Sequence, residues 1–231
     1  MHRTRWTSAL RGTATATLGR PGLARVTGVL LAMTLACGAP AALADDDRLF
    51  GRDGKAYTDF APMPQWTTML ERLKAEEREN SACGAGAPID GCPHTEWSAL
   101  IARIRDREPR AQIEAVQDFV NQWEYITDPI NWGREDFWTT PSEFFVKAGD
   151  CEDYAIAKFM SLRALGFPGD ALKVVAVRDL NLGIGHAVTV VTLAGETLLL
   201  DNQIDPVIET RSVRHYRPVF AASEDVWWLY R

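Results

Sequence analysis

Apolar residues recur at intervals of three and four positions in three segments of the first half of the chain. In QWTTMLERLKAEEREN (65–80), the apolar positions are Trp66, Met69, Leu70 and Leu73. The same spacing occurs in TEWSALIARIRDR (95–107) and in AQIEAVQDFVNQWEYI (111–126). This spacing places apolar side chains on one face of a helix. The pattern predicts three amphipathic helices whose apolar faces form the core.

The second half of the chain is rich in β-branched and aromatic residues. HAVTVVTL (186–193) and ETLLLDNQ (196–203) are separated only by Ala194 and Gly195, which is typical of a β-hairpin. Further strands are predicted in LKVVAVRDL (172–180), HYRPVFAA (215–222) and DVWWLY (225–230), where Pro218 is expected to place its strand at a sheet edge. Helices followed by antiparallel strands predict an α+β fold, with the N-terminal helices packed on an antiparallel sheet.

A further helix is expected to begin at Cys151, in GDCEDYAIAKFMSLRALGFPG (149–169). Asp150 can act as its N-cap, with Asp153 at the third helical position as in a capping box. Gly166 suits the position after the last helical residue, and Pro168 prevents continuation. Cys151 therefore lies in the first turn of this helix.

Residues 1–44 differ in composition from the rest of the chain. They contain five Arg and no Asp or Glu, and the apolar run 26–44 ends in Ala-Leu-Ala before Asp45. This is the layout of a secretory signal peptide, which predicts an exported domain spanning residues 45–231. A membrane anchor is the alternative, although Gly38 and Pro40 interrupt the run. A lipoprotein anchored through Cys37 is disfavoured because Thr34 occupies the position where Leu is expected.

Charge narrows the possible partners. Without residues 1–44, 20 basic residues face 31 acidic ones, a net charge of −11. Such an acidic protein is poorly suited to bind nucleic acid or an anionic membrane surface. No other apolar stretch approaches the ~20 residues needed to span a bilayer. We therefore expect no nucleic-acid partner and no membrane-embedded segment.

Export changes what the cysteines imply, because an oxidising compartment favours disulfides. Cys83 and Cys92 flank the short loop GAGAPIDG and are predicted to pair, with two free thiols as the alternative. Cys151 is then left unpaired, and an odd thiol in an exported protein is a candidate for reactivity.

A cysteine in a first helical turn is favoured as an anion by the unpaired amides and the helix dipole. A nucleophilic cysteine also needs a base and a group that orients the base. His186 and Asp201 are expected at the same end of the predicted hairpin, which makes Cys151, His186 and Asp201 a candidate triad. The alternative is a small buried Cys, a surface His and a turn-capping Asp. His94 and His215 lie in less favourable surroundings.

Three acids, Asp150, Glu152 and Asp153, surround Cys151 and should oppose a thiolate. Acids in a first helical turn are stabilising, but consecutive residues point about 100° apart and cannot all serve one cap. A hard cation such as Ca²⁺ takes several carboxylate and carbonyl oxygens and would offset this charge. Side chains and carbonyls from the preceding Trp-rich loop, TDPINWGREDFWTTPSEFF (127–145), could complete its shell.

The stretch NWGREDFWTTPSEFFVKAGDCEDYAIAKFMSLRALGFP, followed by GHAVTVV and LLLDNQ, resembles the bacterial transglutaminase-like cysteine proteinases. The resemblance implies a papain/transglutaminase-like fold. It implies that Cys151 is the nucleophile, His186 the general base and acid, and Asp201 the group that orients the imidazole. It also implies Ca²⁺ dependence with Asp150 and Glu152 as ligands, while Asp153 is either a ligand or a helix cap.

The same resemblance implies a biological setting. The protease is expected in the periplasm, where it cleaves the N-terminal region of a large surface adhesin and so releases it and promotes biofilm dispersal. An inner-membrane receptor for cyclic di-GMP is the implied regulatory partner. Two other functions remain open: amide transfer through the same thioester, as in transglutaminases, and a Ca²⁺-binding module without activity.

Overall fold

The computed structural model of the protein describes residues 47–79 and 95–231. Eight strands form one sheet in the order β1-β2-β8-β7-β3-β4-β5-β6, and every neighbouring pair is antiparallel. The strands are β1 (Asp47–Leu49), β2 (Arg52–Tyr57), β3 (Leu172–Asp179), β4 (Ile184–Leu193), β5 (Glu196–Leu200), β6 (Ile208–Glu209), β7 (Tyr216–Ala222) and β8 (Trp227–Tyr230).

Within the described ranges, six α-helices precede the strands β3 to β8. They are α1 (Pro64–Glu79), α2 (Thr95–Ile104), α3 (Pro109–Val120), α4 (Asp128–Asn131), α5 (Pro141–Lys147) and α6 (Cys151–Ala164). Single 3₁₀ turns occupy Gly169–Ala171 and Thr210–Ser212. The expected α+β fold is confirmed, and the three amphipathic helices and the helix beginning at Cys151 are present. Helix α3 ends at Val120 rather than continuing to residue 126, and the short helices α4 and α5 begin in the segment described as a loop. None of the described helices has the length and apolar character needed to cross a bilayer.

Helix α6 is the central helix of the fold. Every residue from Asp153 to Leu162 is buried, because α3 and α5 cover one side of the helix while β3 and β4 cover the other. The Thr189 hydroxyl donates to the Ala155 carbonyl (2.6 Å), which ties the helix to β4. A second, smaller apolar cluster including Val175, Val188 and Leu199 lies on the opposite face of the sheet. The position of Cys151 is therefore set by a helix that cannot move without disrupting the core.

The predicted hairpin is present between β4 and β5. Ala194 and Gly195 form its two-residue turn with φ of 51° and 85°, the left-handed values that a tight hairpin turn requires. The register pairs Leu193 with Glu196 and Thr189 with Leu200. This pairing carries His186, on β4, to the same end of the hairpin as Asp201, directly after β5.

Two features of the sheet differ from the sequence prediction. Pro218 lies in β7, which is an interior strand between β8 and β3 rather than an edge strand. A register shift at this point pairs Val177 with Pro218 and Ala176 with Phe220, so the extra residue Val219 is left over. Such a bulge accommodates a residue that has no N–H to donate. The second difference is the hairpin formed by β1 and β2, which the sequence pattern does not predict.

Two predictions concern residues outside the described ranges. The signal peptide at residues 1–44 and the pairing of Cys83 with Cys92 both lie there, and they remain predictions.

Candidate active site

Cys151 is the first residue of α6, and its free thiol is partly buried. Asp150 is the N-cap residue, and its backbone N–H donates to Asp153 Oδ2 (3.1 Å). The other Asp153 oxygen, Oδ1, accepts from the backbone N–H of Thr139 (2.7 Å). Asp153 therefore serves as the third-position residue of the capping box, and it also connects the preceding loop to α6.

His186 and Asp201 are hydrogen-bonded to each other in the interior. Nε2 of His186 lies 2.8 Å from Oδ1 of Asp201, and both side chains are 1% exposed. Because a carboxylate can only accept, Nε2 carries the proton and Nδ1 is left as the basic nitrogen. Gln203 Nε2 is 3.4 Å from Nδ1. The hydrogen bond between His186 and Asp201 thus fixes the imidazole tautomer that a general base needs.

Several donors hold Asp201 in its ionised form. The Tyr216 hydroxyl donates to Oδ2 (2.8 Å) and the Gln203 amide donates to Oδ1 (2.9 Å). Burial alone would raise the pKa of the Asp201 carboxyl. The hydrogen bonds that it accepts, of which the one from His186 is the strongest, outweigh burial and hold this pKa below its usual range. The Asp201 carbonyl accepts from Gln117 Nε2 (2.7 Å) and Asn121 Nδ2 (3.0 Å), so α3 fixes the backbone as well.

The strand that carries His186 also reaches the cysteine. The backbone N–H of Ala187, the next residue, faces the Cys151 thiol and acts to lower its pKa. Burial raises that pKa more strongly, and the charges of Glu152 and Asp150 add to the increase. The thiol donates to Glu152 Oε2 (3.1 Å). With these carboxylates uncompensated, Cys151 is held as a protonated thiol.

The acids around Cys151 belong to a larger cluster. Ligand oxygens of Asp128, Asp150 and Asp153 lie within 4.8 Å of one another, and so do those of Asp128, Asp136 and Glu152. Burial raises the pKa of Asp128 to about 6, of Asp153 to about 7 and of Glu152 to about 9, and it also raises that of Asp150. Five carboxyls in one partly buried cluster are mutually repulsive unless a cation joins them.

The cluster fits a divalent cation of the calcium type. Asp128 Oδ1 and Asp150 Oδ1 are buried and have no hydrogen-bond partner among the described residues, which is costly for a carboxylate oxygen without a cation. Asp136 and Glu152 supply further oxygens, and calcium takes 6–8 oxygen ligands. Both oxygens of Asp153 already accept backbone hydrogen bonds. Both oxygens of Asp136 also accept, from Gln65 Nε2 (2.8 Å) and Trp138 Nε1 (2.9 Å), so Asp128 and Asp150 are the acids with an unengaged buried oxygen.

Asp128 and Asp136 both lie in the Trp-rich loop, where no motif in the sequence singles out either residue. Asp128 begins α4, and its Oδ2 accepts from the Phe137 amide, which closes the loop on itself. Asn131 Nδ2 donates to the Ala148 carbonyl (3.1 Å) and fastens α4 next to α6. Only the closed loop brings these two acids to the start of α6. Their one signal in the sequence is that they belong to the loop expected to complete the shell.

Tyr125 also lies beside Cys151. A bridge between Tyr125 and Gly149 places it there, and its ring stacks on Tyr154 with centroids 6.4 Å apart. Burial and the nearby charges of Cys151, Asp150 and Glu152 raise its pKa, so the hydroxyl stays protonated. It is a hydrogen-bond donor at the half-exposed mouth of the site.

Lys158 lies two turns after Cys151 in α6. It is 1% exposed, and its ammonium has no hydrogen-bond partner among the described residues. Burial lowers its pKa to about 7, while the charge of Asp201 acts in the opposite direction. Of the other two candidate histidines, His215 lies next to Tyr216 with ring centroids 4.5 Å apart, and His94 lies outside the described ranges.

The sequence and the fold are both similar to those of known proteins. Residues 90–228 match the family described as bacterial transglutaminase-like cysteine proteinase. LapG of Legionella pneumophila has a similar structure, with a TM-score of 0.56 and 30% identity over 68% of this chain and 87% of that one. The TM-score is 0.55 for the calcium-bound form of that LapG and 0.56 for its EGTA-treated form, both at 30% identity. No curated protein sequence matches significantly.

The family match covers more than half of the chain, and the similarity to LapG extends over most of both chains. The mixed α+β architecture agrees with the transglutaminase-like fold of these relatives. The chain belongs to the bacterial transglutaminase-like cysteine proteinases and is a LapG-type cysteine peptidase.

Proposed function

We propose that the protein is an exported, calcium-dependent cysteine endopeptidase in which Cys151, His186 and Asp201 form the catalytic triad. One observation carries the proposal: Nε2 of buried His186 is bonded to Asp201 at 2.8 Å, and the adjoining Ala187 amide faces the Cys151 thiol. This arrangement leaves Nδ1 of His186 as the basic nitrogen on a strand that reaches the nucleophile.

In the acylation step, Nδ1 of His186 removes the thiol proton and Cys151 Sγ attacks the carbonyl carbon of the scissile peptide. The backbone N–H of Cys151, at the start of α6, is suited to stabilise the oxyanion. The imidazolium then protonates the departing amine, which leaves a thioester. His186 next takes a proton from water, whose oxygen attacks the thioester and releases the thiol and the free carboxylate.

Asp128, Asp150 and Glu152 would hold Ca²⁺, with Asp136 of the same cluster as a further ligand, while Asp153 completes the capping box of α6. When bound, the cation supplies positive charge that offsets the acids beside the thiol. The carboxylates engaged in this way no longer oppose ionisation of Cys151. The calcium-bound and EGTA-treated forms of Legionella LapG support the choice of metal.

The family resemblance supports a specific setting. Residues 1–44 direct export to the periplasm, and the substrate is the N-terminal region of a large surface adhesin. Its cleavage releases the adhesin and promotes biofilm dispersal, while an inner-membrane receptor for cyclic di-GMP sequesters the protease.

The test is a cleavage assay on the N-terminal fragment of a large repeat adhesin from the same genome. The protein is assayed with Ca²⁺ and with EGTA, beside Cys151→Ala and the exposed control Ser212→Ala. A single defined cut that is lost with EGTA and in Cys151→Ala, but kept in the control, is expected. Cutting by Cys151→Ala would overturn the triad, and cutting that survives EGTA would overturn the calcium requirement.

A further inference from the structure

The sheet face that carries α6 extends beyond the start of that helix. Helix α6 runs alongside β4, from Ala187 beside Cys151 to Thr189 beside Ala155. Gly185 lies two residues before Ala187, about 7 Å further along the strand and on the same face. A Cβ added to Gly185 would meet no atom within 4 Å, so the sheet face is open at this residue, two positions along β4 from the residue beside Cys151.

Two arginines lie across the sheet from this glycine. Arg178 on β3 is directly opposite Gly185, and Arg217 on β7 is directly opposite Arg178. Residues paired in this way point to the same face, with their Cβ atoms about 4.5–5.5 Å apart. Neighbouring strands are about 4.8 Å apart, so the two arginines lie one and two strands to the side of β4. Both side chains are exposed.

The two arginines have no anionic partner within the described ranges. Neither forms an ion pair or a side-chain hydrogen bond there, whereas Arg72, Arg110, Arg163 and Arg211 each pair with a glutamate. The nearest acid in sequence, Asp179, is buried and accepts from the amides of Asn181 and Leu182. Like charges directly opposite each other in a sheet are destabilising. The pair is thus an uncompensated cationic feature in an acidic chain.

We propose that Arg178 and Arg217 form a docking site for an acidic segment of the polypeptide that enters the active site. The inference rests on the proposed endopeptidase function and adds a substrate class to it. Guanidinium groups bind carboxylates through paired, charge-assisted hydrogen bonds, which suits Asp or Glu side chains of an extended peptide. The site therefore selects segments in which acidic residues flank the scissile bond.

Two measurements on the calcium-loaded protein test this. In the first, a pool of chymotryptic peptides from a bacterial proteome is digested, and the residues flanking each cut are read by mass spectrometry. In the second, Cys151→Ala protein is titrated with fluorescent peptides of alternating Asp-Ala, Asn-Ala or Lys-Ala, and binding is followed by anisotropy. Each is repeated with R178E/R217E and with the charge-matched control R103E/R105E, whose exposed arginines lie on α2 and just after it.

We expect acidic residues to be enriched around the cuts and the Asp-Ala peptide to bind tighter than the other two. R178E/R217E should lose the enrichment and weaken Asp-Ala binding by roughly tenfold for each arginine replaced, while R103E/R105E keeps both. Raising the salt concentration should weaken the same preference. Cuts with no acidic enrichment, or enrichment unchanged in R178E/R217E, would overturn the proposal.

The two proposals fail separately. If no peptide is cut but Cys151→Ala protein still prefers the Asp-Ala peptide through Arg178 and Arg217, the docking site stands and the peptidase function is lost. If cutting occurs and Asp-Ala binds no better than Asn-Ala, the peptidase stands and the docking site is overturned. Equal losses in R178E/R217E and in the control would reduce the effect to net charge and also overturn the docking site.

Discussion

Asp128 and Asp150 each present a buried carboxylate oxygen that no described donor reaches, and both oxygens belong to one acidic cluster beside Cys151. One of these acids is the N-cap of α6 and the other begins α4. A cation held between them would therefore join the Trp-rich loop to the helix that carries the nucleophile.

Calcium is accordingly expected to stabilise the fold. At a Ca²⁺ concentration about a hundredfold above its Kd, binding contributes about 2.7 kcal/mol, which corresponds to a rise in Tm of about 5–10 °C for a domain of this size. Asp128→Asn should reduce this rise, because it removes a charged ligand, whereas the exposed Asp106→Asn should not. Thermal unfolding with Ca²⁺ and with EGTA measures the effect. An equal rise in Asp128→Asn and the wild type would place the metal elsewhere.

Asp201→Ala should keep the fold and lose activity. Without the carboxylate, Nε2 of His186 loses its acceptor, so the imidazole is no longer held in the tautomer that leaves Nδ1 basic. We expect kcat to fall by about 10³–10⁴-fold, by analogy with triads in which this acid is replaced. The measurement is steady-state cleavage, with circular dichroism to verify folding. Asp205→Ala, an exposed neighbour, is the control, and near-normal kcat in Asp201→Ala would exclude an orienting role.

Tyr216→Phe should shift the acidic limb of the pH profile upward. The Tyr216 hydroxyl donates to Asp201 and helps to lower its pKa, so its removal raises that pKa. Asp201 is then protonated, and activity lost, at a higher pH than in the wild type. The profile of kcat/KM against pH measures this shift. Tyr230→Phe removes a hydroxyl bonded to Asp47 at the other end of the sheet and should leave the profile unchanged. An unmoved limb in Tyr216→Phe would contradict the prediction.

Lys158→Met is expected to stabilise the protein below pH 7. The ammonium is buried without a hydrogen-bond partner, and a methionine of similar length removes the cost of desolvating it. The folded-state pKa of about 7 is lower than the ordinary value of 10.5. Between pH 7 and pH 10.5 the unfolded chain binds more protons than the folded protein does. The free energy of unfolding of the wild type therefore rises with pH over this range, and the advantage of methionine shrinks.

Denaturant unfolding of Lys158→Met and the wild type at several pH values measures this difference. Exposed Lys74→Met serves as the control and should show no such pH dependence. A loss of stability in Lys158→Met at pH 6 would mean that the ammonium has partners that lower its cost of burial.

Periodicity was enough to locate α1, α2 and α3 and the strands of the central hairpin, but not the short helices α4 and α5. Trp66, Met69 and Leu70 form an apolar stripe that only a helix makes continuous, and Ala194-Gly195 fits a two-residue turn. Pro218 was misplaced because a bulge depends on two strands at once. Its missing N–H is harmless only where the partner strand slips by one residue, and no single segment encodes that slip.

Some residues of the candidate site could be predicted from the sequence and others could not. His186 and Asp201 lie at one end of the β4–β5 hairpin, so spacing along the two strands was sufficient to predict that they meet. Cys151 begins α6 beside Ala187, and its place in a triad with them remains a prediction. Asp128 and Asp136 could not be distinguished from other loop acids, because they join the cluster only once the Phe137 amide closes the loop on Asp128. Arg178 and Arg217 become neighbours only through the pairing of β3 with β7, which are far apart in sequence.

The two-residue turn at Ala194 and Gly195 sets a rule for how this protein can diverge. One residue added there or removed would shift the β4–β5 register and send alternate side chains to the other face of the sheet. His186 would then part from Asp201 even though every residue of the proposed triad was still encoded. Among distant relatives, the length of this loop should therefore be a better guide to retained peptidase chemistry than the overall degree of identity.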